Sequence, residues 1–202
     1  VERMPQDATA RFWYGSLLVQ IGEIAESTPD LELAAELDPL SFIITLNLAF
    51  YGYIREDWEE SYSYSREGAA LREGGFVPAQ AGMAYSAYRL GRTEEAVRLS
   101  REVLASWPEL PRFSADQFAV WVLHQTGYEA EAEAFVDRVL PEIPPRSYLR
   151  GFLLAAVGRW EDALPNFENP PYTARGWVFD SPILDPWRED PRFVAMIDRW
   201  GV

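Results

Sequence analysis

Apolar and polar residues follow a pattern of helix, turn and helix that is clearest between Met83 and Pro108. Gly91 can adopt the left-handed conformation that closes a first helix. Glu94 and Glu95 then fall in the first turn of a second helix, where carboxylates interact favourably with the helix dipole. Pro108 ends that second helix. The pattern therefore predicts two short helices joined by a tight turn.

The same pattern returns along the chain at a nearly constant spacing. Its turn residues are separated by 34, 35, 36 and 31 positions, and they are Gly22, Glu56, Gly91, Gly127 and Gly158. A small residue follows each turn residue by five positions, in the order Ser27, Ser61, Ala96, Ala132 and Ala163. Small residues also occupy the middle of four first helices, namely Gly15, Ala49, Ala84 and Gly151. Short side chains at these positions allow paired helices to approach to roughly 8–10 Å.

This combination of period, turn residue and small residues resembles the tetratricopeptide repeat (TPR). The resemblance covers about residues 8–170 and implies an all-α solenoid of about five helix-turn-helix repeats, wound into a right-handed superhelix. The array is expected to span residues 1–170, with repeats at about 8–39, 42–75, 77–108, 113–144 and 145–170. Departures from the pattern predict local irregularity, because Glu56 replaces a turn glycine, Val120 occupies a small position and the fifth repeat is short.

The segment after the repeats divides into two parts. Residues 171–189 are predicted to form a loop that can fold back on the array and fill its groove, with Trp177, Phe179, Ile183 and Leu184 as its apolar residues. Residues 190–202 are predicted to form a capping helix, because Asp190 and Pro191 favour a helix start and apolar residues follow at helical spacing. This ending also resembles that of TPR domains attached to bacterial nucleotide cyclases and membrane-anchored winged-helix transcription regulators.

Composition excludes several kinds of chemistry. The formal net charge of -14 disfavours nucleic acid and anionic membrane surfaces as partners, and no apolar run approaches the roughly 18 residues of a membrane span. All 18 basic residues are Arg and the chain lacks Cys, which removes P-loop, Schiff-base and thiolate chemistry. We therefore expect no enzyme activity, no cofactor and no metal. The compartment stays open between bacterial cytoplasm and periplasm, and the missing initial Met indicates a segment of a longer protein.

The TPR resemblance implies that first helices line a concave groove, which predicts a partner-binding surface rich in aromatic residues. The residues assigned to it are Asn47, Phe50, Tyr53, Tyr85, Tyr88, Arg89, Gln117, Phe118, Trp121, His124, Gln125 and Phe152. Aromatic side chains at helical spacing are also typical of a packed core, so core packing remains an alternative for this set. A structural or groove-lining role is favoured for the single histidine, His124, because no catalytic or ligand partner stands at a suitable spacing.

The predicted function is a protein interaction scaffold that binds a peptide or domain through this groove, and a homo-oligomer is compatible with it. An alternative is a ligand-sensing regulatory tail of a larger signalling protein, either a nucleotide cyclase or a transcription regulator. A hydrolase that uses carboxylates is a third option. The clusters of Asp and Glu at the starts of second helices are explained without it, because they interact favourably with helix dipoles.

Overall fold

The computed structural model describes residues 6–20, 23–71, 76–107, 116–171, 175, 178 and 181–200. These residues form helices, turns and loops without a β-strand among them, which confirms the all-α class. The predicted positions Gly22, Pro108, Trp177 and Phe179 lie outside the described residues. The chain divides into two compact units, Val1–Ala79 and Gln80–Val202.

Consecutive helices pack together in pairs, here called hairpins 1 to 5. Hairpins 1 and 2 are α1 (Ala8–Gln20) with α2 (Ile24–Leu37) and α3 (Phe42–Ile54) with α4 (Trp58–Ala70). Hairpins 3 to 5 are α5 (Val77–Arg89) with α6 (Thr93–Ala105), α7 (Asp116–Gln125) with α8 (Glu129–Val139), and α9 (Tyr148–Ala156) with α10 (Trp160–Ala163). The fifth pair is short because α10 passes at once into the 3-10 helix Leu164–Asn166.

The turn between paired helices has one geometry throughout the described repeats. Glu56, Gly91, Gly127 and Gly158 all have positive φ, between 57° and 89°. The residue after each donates a backbone hydrogen bond to the carbonyl five positions back, as Arg92 does to Ala87 at 2.8 Å and Arg159 to Leu154 at 2.9 Å. This left-handed residue and long backward bond are the Schellman ending of an α-helix.

Small residues bring the paired helices into close contact. A Cβ atom added to Gly15 would stand 2.6 Å from the Leu31 side chain, and one added to Gly151 would stand 2.7 Å from the Phe167 ring. Both distances are shorter than carbon atoms tolerate, so glycine is required there unless the neighbouring side chain moves. The predicted function of these small positions in helix crossing is therefore supported by the packing of hairpins 1 and 5.

The first unit has a core shared between hairpins 1 and 2. Ile44, Leu48 and Tyr51 of α3 cluster with Phe12, Leu31 and Ala34 of hairpin 1. At one edge of this cluster the Tyr51 hydroxyl donates to Ser16 Oγ at 2.9 Å, and Ser16 donates to the Phe12 carbonyl at 2.7 Å. Burial raises the pKa of Tyr51, partly offset by its bond to Ser16. The core therefore satisfies its polar atoms locally.

The second unit ends in a helix that covers hairpin 5. The indole of Trp160 stacks on Trp187 at 4.9 Å with an interplanar angle of 6°, and it also contacts Phe193 at 5.9 Å. Phe193 belongs to α11 (Pro191–Trp200), in which Phe193, Met196 and Ile197 are buried. Trp187 ends the 3-10 helix Pro182–Trp187. Residues 182–187 are thus helical and packed on hairpin 5, and the relation of the whole 171–189 segment to a groove stays a prediction.

Polar contacts hold the same C-terminal segment in place. Trp160 Nε1 donates to the Asp190 carboxylate at 2.8 Å, and Arg192 binds both Glu161 at 2.8 Å and Asp190 at 2.7 Å. The hydrogen bonds from Arg192 and Trp160 lower the pKa of Asp190. These bonds join the first turn of α10 to the start of α11. The helix itself begins here because the Asp190 carboxylate also accepts a hydrogen bond from the Arg192 backbone N–H at 2.8 Å, which caps the first turn of α11.

Candidate functional site

Four aromatic side chains of α5 and α7 form one cluster in the second unit, which we call the α5–α7 cluster. Its members are Tyr85, Tyr88, Phe118 and Trp121. Trp121 lies at the centre, with its ring 5.5 Å from Tyr85 and 5.2 Å from Tyr88, the latter edge-on at 87°. Edge-to-face and tilted rings at these distances attract each other beyond their apolar burial. The two helices therefore present a continuous aromatic surface.

The members of this cluster differ in how deeply they are buried. Tyr85 is only 1% exposed, whereas Tyr88, Phe118 and Trp121 are half-buried. The Tyr85 hydroxyl accepts a hydrogen bond from Arg89 Nη1 at 3.0 Å, and Arg89 itself is exposed one turn along α5. Tyr85 thus packs beneath the more exposed rings of the cluster, and its hydroxyl fixes the exposed Arg89 guanidinium at the edge of the cluster. The three half-buried rings are the part that a partner can touch.

The remaining α7 residues of the predicted set differ in exposure. His124 is half-buried and Gln125 is exposed, one turn beyond Trp121. Gln117 is 2% exposed, and its Oε1 atom has no hydrogen-bond partner in the described part of the chain. Asp116, which precedes it, is also buried, and this burial raises the pKa of its carboxyl to about 6 despite hydrogen bonds from two backbone N–H groups. His124 and Gln125 can therefore reach a partner, while Gln117 lies beneath the surface.

Phe152 lies apart from the α5–α7 cluster. Its side chain is 1% exposed and its ring packs at 5.2 Å on Phe167, within hairpin 5. Tyr148 covers it edge-on at 6.4 Å. Phe152 consequently belongs to the core of its own hairpin, which is the alternative that the sequence left open for this residue.

The three predicted residues of the first unit share one helix, α3. Phe50 and Tyr53 stack at 6.0 Å with an interplanar angle of 15°, and Tyr53 meets Trp58 edge-on at 5.9 Å. The side-chain amide nitrogen of Asn47 donates a hydrogen bond to the Ile43 carbonyl of the same helix at 2.8 Å. All three side chains are half-buried. The first unit therefore carries a second, smaller aromatic surface, and Asn47 offers mainly its carboxamide oxygen.

Several strongly exposed apolar side chains lie outside the predicted partner-binding set. Those of the first unit are Trp13 at 62%, Tyr14 at 43%, Leu17 at 53%, Leu40 at 77% and Ile43 at 59%. A signal for Ile43 was present, because Ile44, Leu48 and Tyr51 already supply the buried stripe of α3 at helical spacing and leave Ile43 outside it. The α1 side chains had no such signal, since their exposure depends on what packs beside the first helix.

An open groove of about 470 Å³ lies beside α6 and the turn after α7. It is lined by Thr93, Glu94, Val97, Arg98, Arg101, Glu102, Thr126 and Tyr128. Its guanidinium groups already have carboxylate partners: Arg101 binds Glu131 at 2.8 Å and Arg98 binds Glu102 at 2.8 Å. The hydrogen bonds from Arg101 also lower the pKa of Glu131. The groove thus offers paired charges rather than a site for an anion.

No three His, Cys, Asp or Glu side chains in the described ranges are grouped to hold a metal ion. Among the helices described, none combines the length and the apolar character needed to cross a membrane.

Comparisons with known proteins identify the fold. No protein-family model and no curated protein sequence matches this chain. Solved structures do match it: YrrB, described as a TPR protein with an unusual peptide-binding site, has a TM-score of 0.56 and 14% identity over 96% of this chain and 94% of its own. The TPR-like repeats of a kinesin light chain from Podosopora anserina give TM-scores of 0.59 and 0.58 in two structures, again at 14% identity, covering 98% and 97% of both chains. The chain therefore has the fold of a TPR-type helical repeat.

Proposed function

We propose that this chain is a protein interaction scaffold that binds a peptide segment of a partner across the α5–α7 cluster. One observation carries the proposal: three half-buried aromatic side chains, Tyr88, Phe118 and Trp121, are held together over a fully buried Tyr85. Large aromatic residues that are partly exposed and rigidly supported are typical of binding hot spots. YrrB, which shares the fold, is described as having a peptide-binding site.

The chemistry of the surface favours a peptide that carries apolar side chains. Apolar side chains of the peptide would cover the exposed edges of Tyr88 and Trp121, which removes aromatic surface from water. Arg89 is exposed next to Tyr88, and its bond to Tyr85 holds its guanidinium at the edge of this surface. Gln125 and His124 lie farther along α7 and can hydrogen-bond to the peptide backbone. The first-unit residues Asn47, Phe50 and Tyr53 are proposed as a second contact of the same kind.

The test uses Trp121→Ala in the full chain, with a displayed library of random peptides as the probe. Peptides selected on the unmodified chain should bind Trp121→Ala at least about tenfold more weakly, because removal of a hot-spot side chain typically costs 2 kcal/mol or more. Tyr128→Ala is the matched control, since Tyr128 is 40% exposed on the groove beside α6 and lies outside the α5–α7 cluster. Circular dichroism should show unchanged helix content in both variants.

Two outcomes would contradict the proposal. Peptides that bind both variants as tightly as the unmodified chain would show that binding occurs elsewhere. A library that yields no peptide for the unmodified chain at any stringency would exclude peptide recognition by this surface. The alternative of a ligand-sensing regulatory tail is favoured by no particular contact among the described residues and stays a prediction.

A further inference from the structure

The polar ends of the half-buried rings in the α5–α7 cluster are open to a partner. The Tyr88 hydroxyl and the Trp121 indole N–H make no hydrogen bond to the described part of the chain, and neither is among its buried polar atoms that lack a partner. Gln125, one turn beyond Trp121, is exposed, and its side-chain amide makes no hydrogen bond to the described residues either. Water therefore solvates all three groups, and a bound partner has to replace that water.

Donors predominate among these groups. An indole N–H can only donate, a phenol hydroxyl donates as well as accepts, and a carboxamide nitrogen carries two donor hydrogens. Neither helix adds an exposed carboxylate acceptor, because α5 has no acidic residue and Asp116, the only one in α7, is buried. The cluster therefore needs a partner that supplies acceptors.

Peptide backbones differ in what they offer to a surface rich in donors. A helical peptide has its carbonyls bonded internally, so it would cover Tyr88 and Trp121 without pairing them, and burying an unpaired donor is unfavourable. A β-strand presents N–H groups as often as carbonyls. A polyproline II segment has no internal hydrogen bonds, and proline has no backbone N–H, so a proline-rich backbone offers acceptors alone. This backbone is the chemical complement of the surface.

The arrangement of the rings suits a proline side chain. Tyr88 and Trp121 meet at 87° with their centroids 5.2 Å apart, so the two rings form adjacent walls of a corner. Tyr85 packs beneath them, 1% exposed and tilted by 44° to Trp121. A pyrrolidine ring is compact and rigid, and aromatic-lined surfaces are a general binding mode for polyproline II segments. Because this conformation is largely preformed in the free peptide, binding costs little conformational entropy.

Charge favours an uncharged partner segment. The chain carries a net charge of -14, so its field repels an acidic peptide. A Lys or Arg side chain of the peptide would find no exposed carboxylate on α5 or α7 to pair with. A proline-rich segment needs no charged side chain to present its acceptors, and it satisfies both conditions.

We propose that the partner segment bound by the α5–α7 cluster is proline-rich and adopts the polyproline II conformation, an inference that rests on the proposed function of this surface. The Trp121 indole N–H and the Tyr88 hydroxyl donate to carbonyl oxygens of the segment, and a prolyl ring packs in the corner between the two aromatic rings. Gln125 donates to a further carbonyl along α7.

The first experiment compares two peptides that differ only in handedness. The probes are fluorescently labelled peptides of about ten L-prolines or about ten D-prolines, which form mirror-image helices of the same composition. Their binding to the full chain is measured by fluorescence anisotropy. The L-proline peptide should bind at least about tenfold more tightly, because donors fixed in place by the chain match the carbonyl positions of one hand only.

The second experiment removes one donor and keeps its ring. Tyr88→Phe deletes only the hydroxyl, and it should weaken binding of the L-proline peptide about two- to tenfold, as the loss of one neutral hydrogen bond does. Tyr128→Phe is the matched control, because Tyr128 is 40% exposed and lies outside the cluster, and it should leave the affinity unchanged. Circular dichroism should show equal helix content in both variants.

Three results would overturn the inference: equal affinity for the two peptides, equal affinity of Tyr88→Phe and the unmodified chain for the L-proline peptide, or no binding of this peptide at about millimolar concentration. The random-peptide library separates this failure from a failure of the proposed function. Selected peptides that lose affinity for Trp121→Ala but contain no proline would leave the peptide surface in place and exclude its proline specificity. A library that yields no peptide would remove both.

Discussion

Asp116 is the described residue whose ionisation should matter most for stability. Its carboxyl is buried at the first residue of α7, and burial raises its pKa from 3.8 to about 6. A raised pKa means that the folded state favours the protonated form. The contribution of this carboxyl to the free energy of unfolding is therefore fully present below about pH 4 and is lost as the pH rises through about 6. The difference of about two pKa units corresponds to roughly 3 kcal/mol as an upper estimate.

The predicted change is Asp116→Asn, which removes the charge and keeps an oxygen that can accept from the Gln117 backbone N–H, now 3.1 Å away. The variant should be more stable than the unmodified chain at pH 7, and the difference should shrink as the pH falls toward about 4. Urea unfolding at several pH values measures both effects. Asp198→Asn, on the exposed side of α11, is the control. If the free energies of unfolding of Asp116→Asn and of the unmodified chain changed in parallel with pH, burial would not be what raises the pKa of Asp116.

At the level of single residues, the sequence predicted which helix face a side chain occupies but not how deeply it lies. Tyr85 and Trp121 hold equivalent positions in their repeats, yet Tyr85 is buried and Trp121 is half-buried. The difference arises because the rings of Phe118 and Trp121 both lie against Tyr85. Depth of this kind depends on which neighbouring side chains are large, and periodicity along one helix carries no such information.

At the level of elements, the turns between paired helices were predictable because they depend on local backbone chemistry. Glu56 shows how strongly the repeat imposes its geometry, since this non-glycine residue adopts φ of 57° at the position where other repeats have glycine. Its neighbour Asp57 donates to the Gly52 carbonyl at 2.9 Å, as in the glycine-containing turns. For a residue with a Cβ atom, the left-handed conformation costs roughly 1–2 kcal/mol.

We therefore expect Glu56→Gly to raise the free energy of unfolding by about 1 kcal/mol, because glycine adopts this conformation without the Cβ clash. The matched reverse change is Gly91→Ala, at φ of 74° with open space around the added Cβ, which should lower the free energy of unfolding by a similar amount. Chemical denaturation of both variants gives the comparison. Destabilisation by Glu56→Gly would show that the Glu56 side chain makes a contact worth more than the backbone strain.

The fifth hairpin and the C-terminal segment that packs on it were only partly predictable from the sequence. The Asp190 and Pro191 pair and the apolar spacing after it predicted a helix, and α11 occupies Pro191–Trp200. The stack of Trp160 on Trp187 could not be predicted, because the two residues are far apart in sequence and belong to different elements. Its formation depends on the 3-10 helix Pro182–Trp187, a short element that hydrophobic periodicity does not reveal.

At the level of the whole molecule, the repeat organisation has an energetic consequence. In helical repeat proteins each repeat contacts mainly its neighbours. The free energy of unfolding is therefore close to a sum of contributions from single repeats and from the contacts between adjacent repeats, and a destabilising substitution acts mainly on the repeat that carries it. Both units here have their own cores: Leu48 lies in the cluster of hairpins 1 and 2, and Leu153 is 1% exposed within hairpin 5. Leu48→Ala and Leu153→Ala are thus the same chemical change in two separate cores. Each should cost roughly 2–5 kcal/mol locally.

Native-state hydrogen exchange resolves where that cost appears. Leu48→Ala should accelerate exchange at least about thirtyfold in α1 to α4 and leave α8 to α10 nearly unchanged, whereas Leu153→Ala should give the reverse pattern, since 1.4 kcal/mol corresponds to a tenfold change. Each variant serves as the control for the other. If both variants accelerated exchange equally in every helix, the chain would unfold as one cooperative body, and the nearest-neighbour account of its stability would be wrong. The reciprocal pattern would instead show that the aromatic surface of α5 and α7 can keep its geometry while hairpins 1 and 2 open, because the contacts that position Trp121 lie within the second unit.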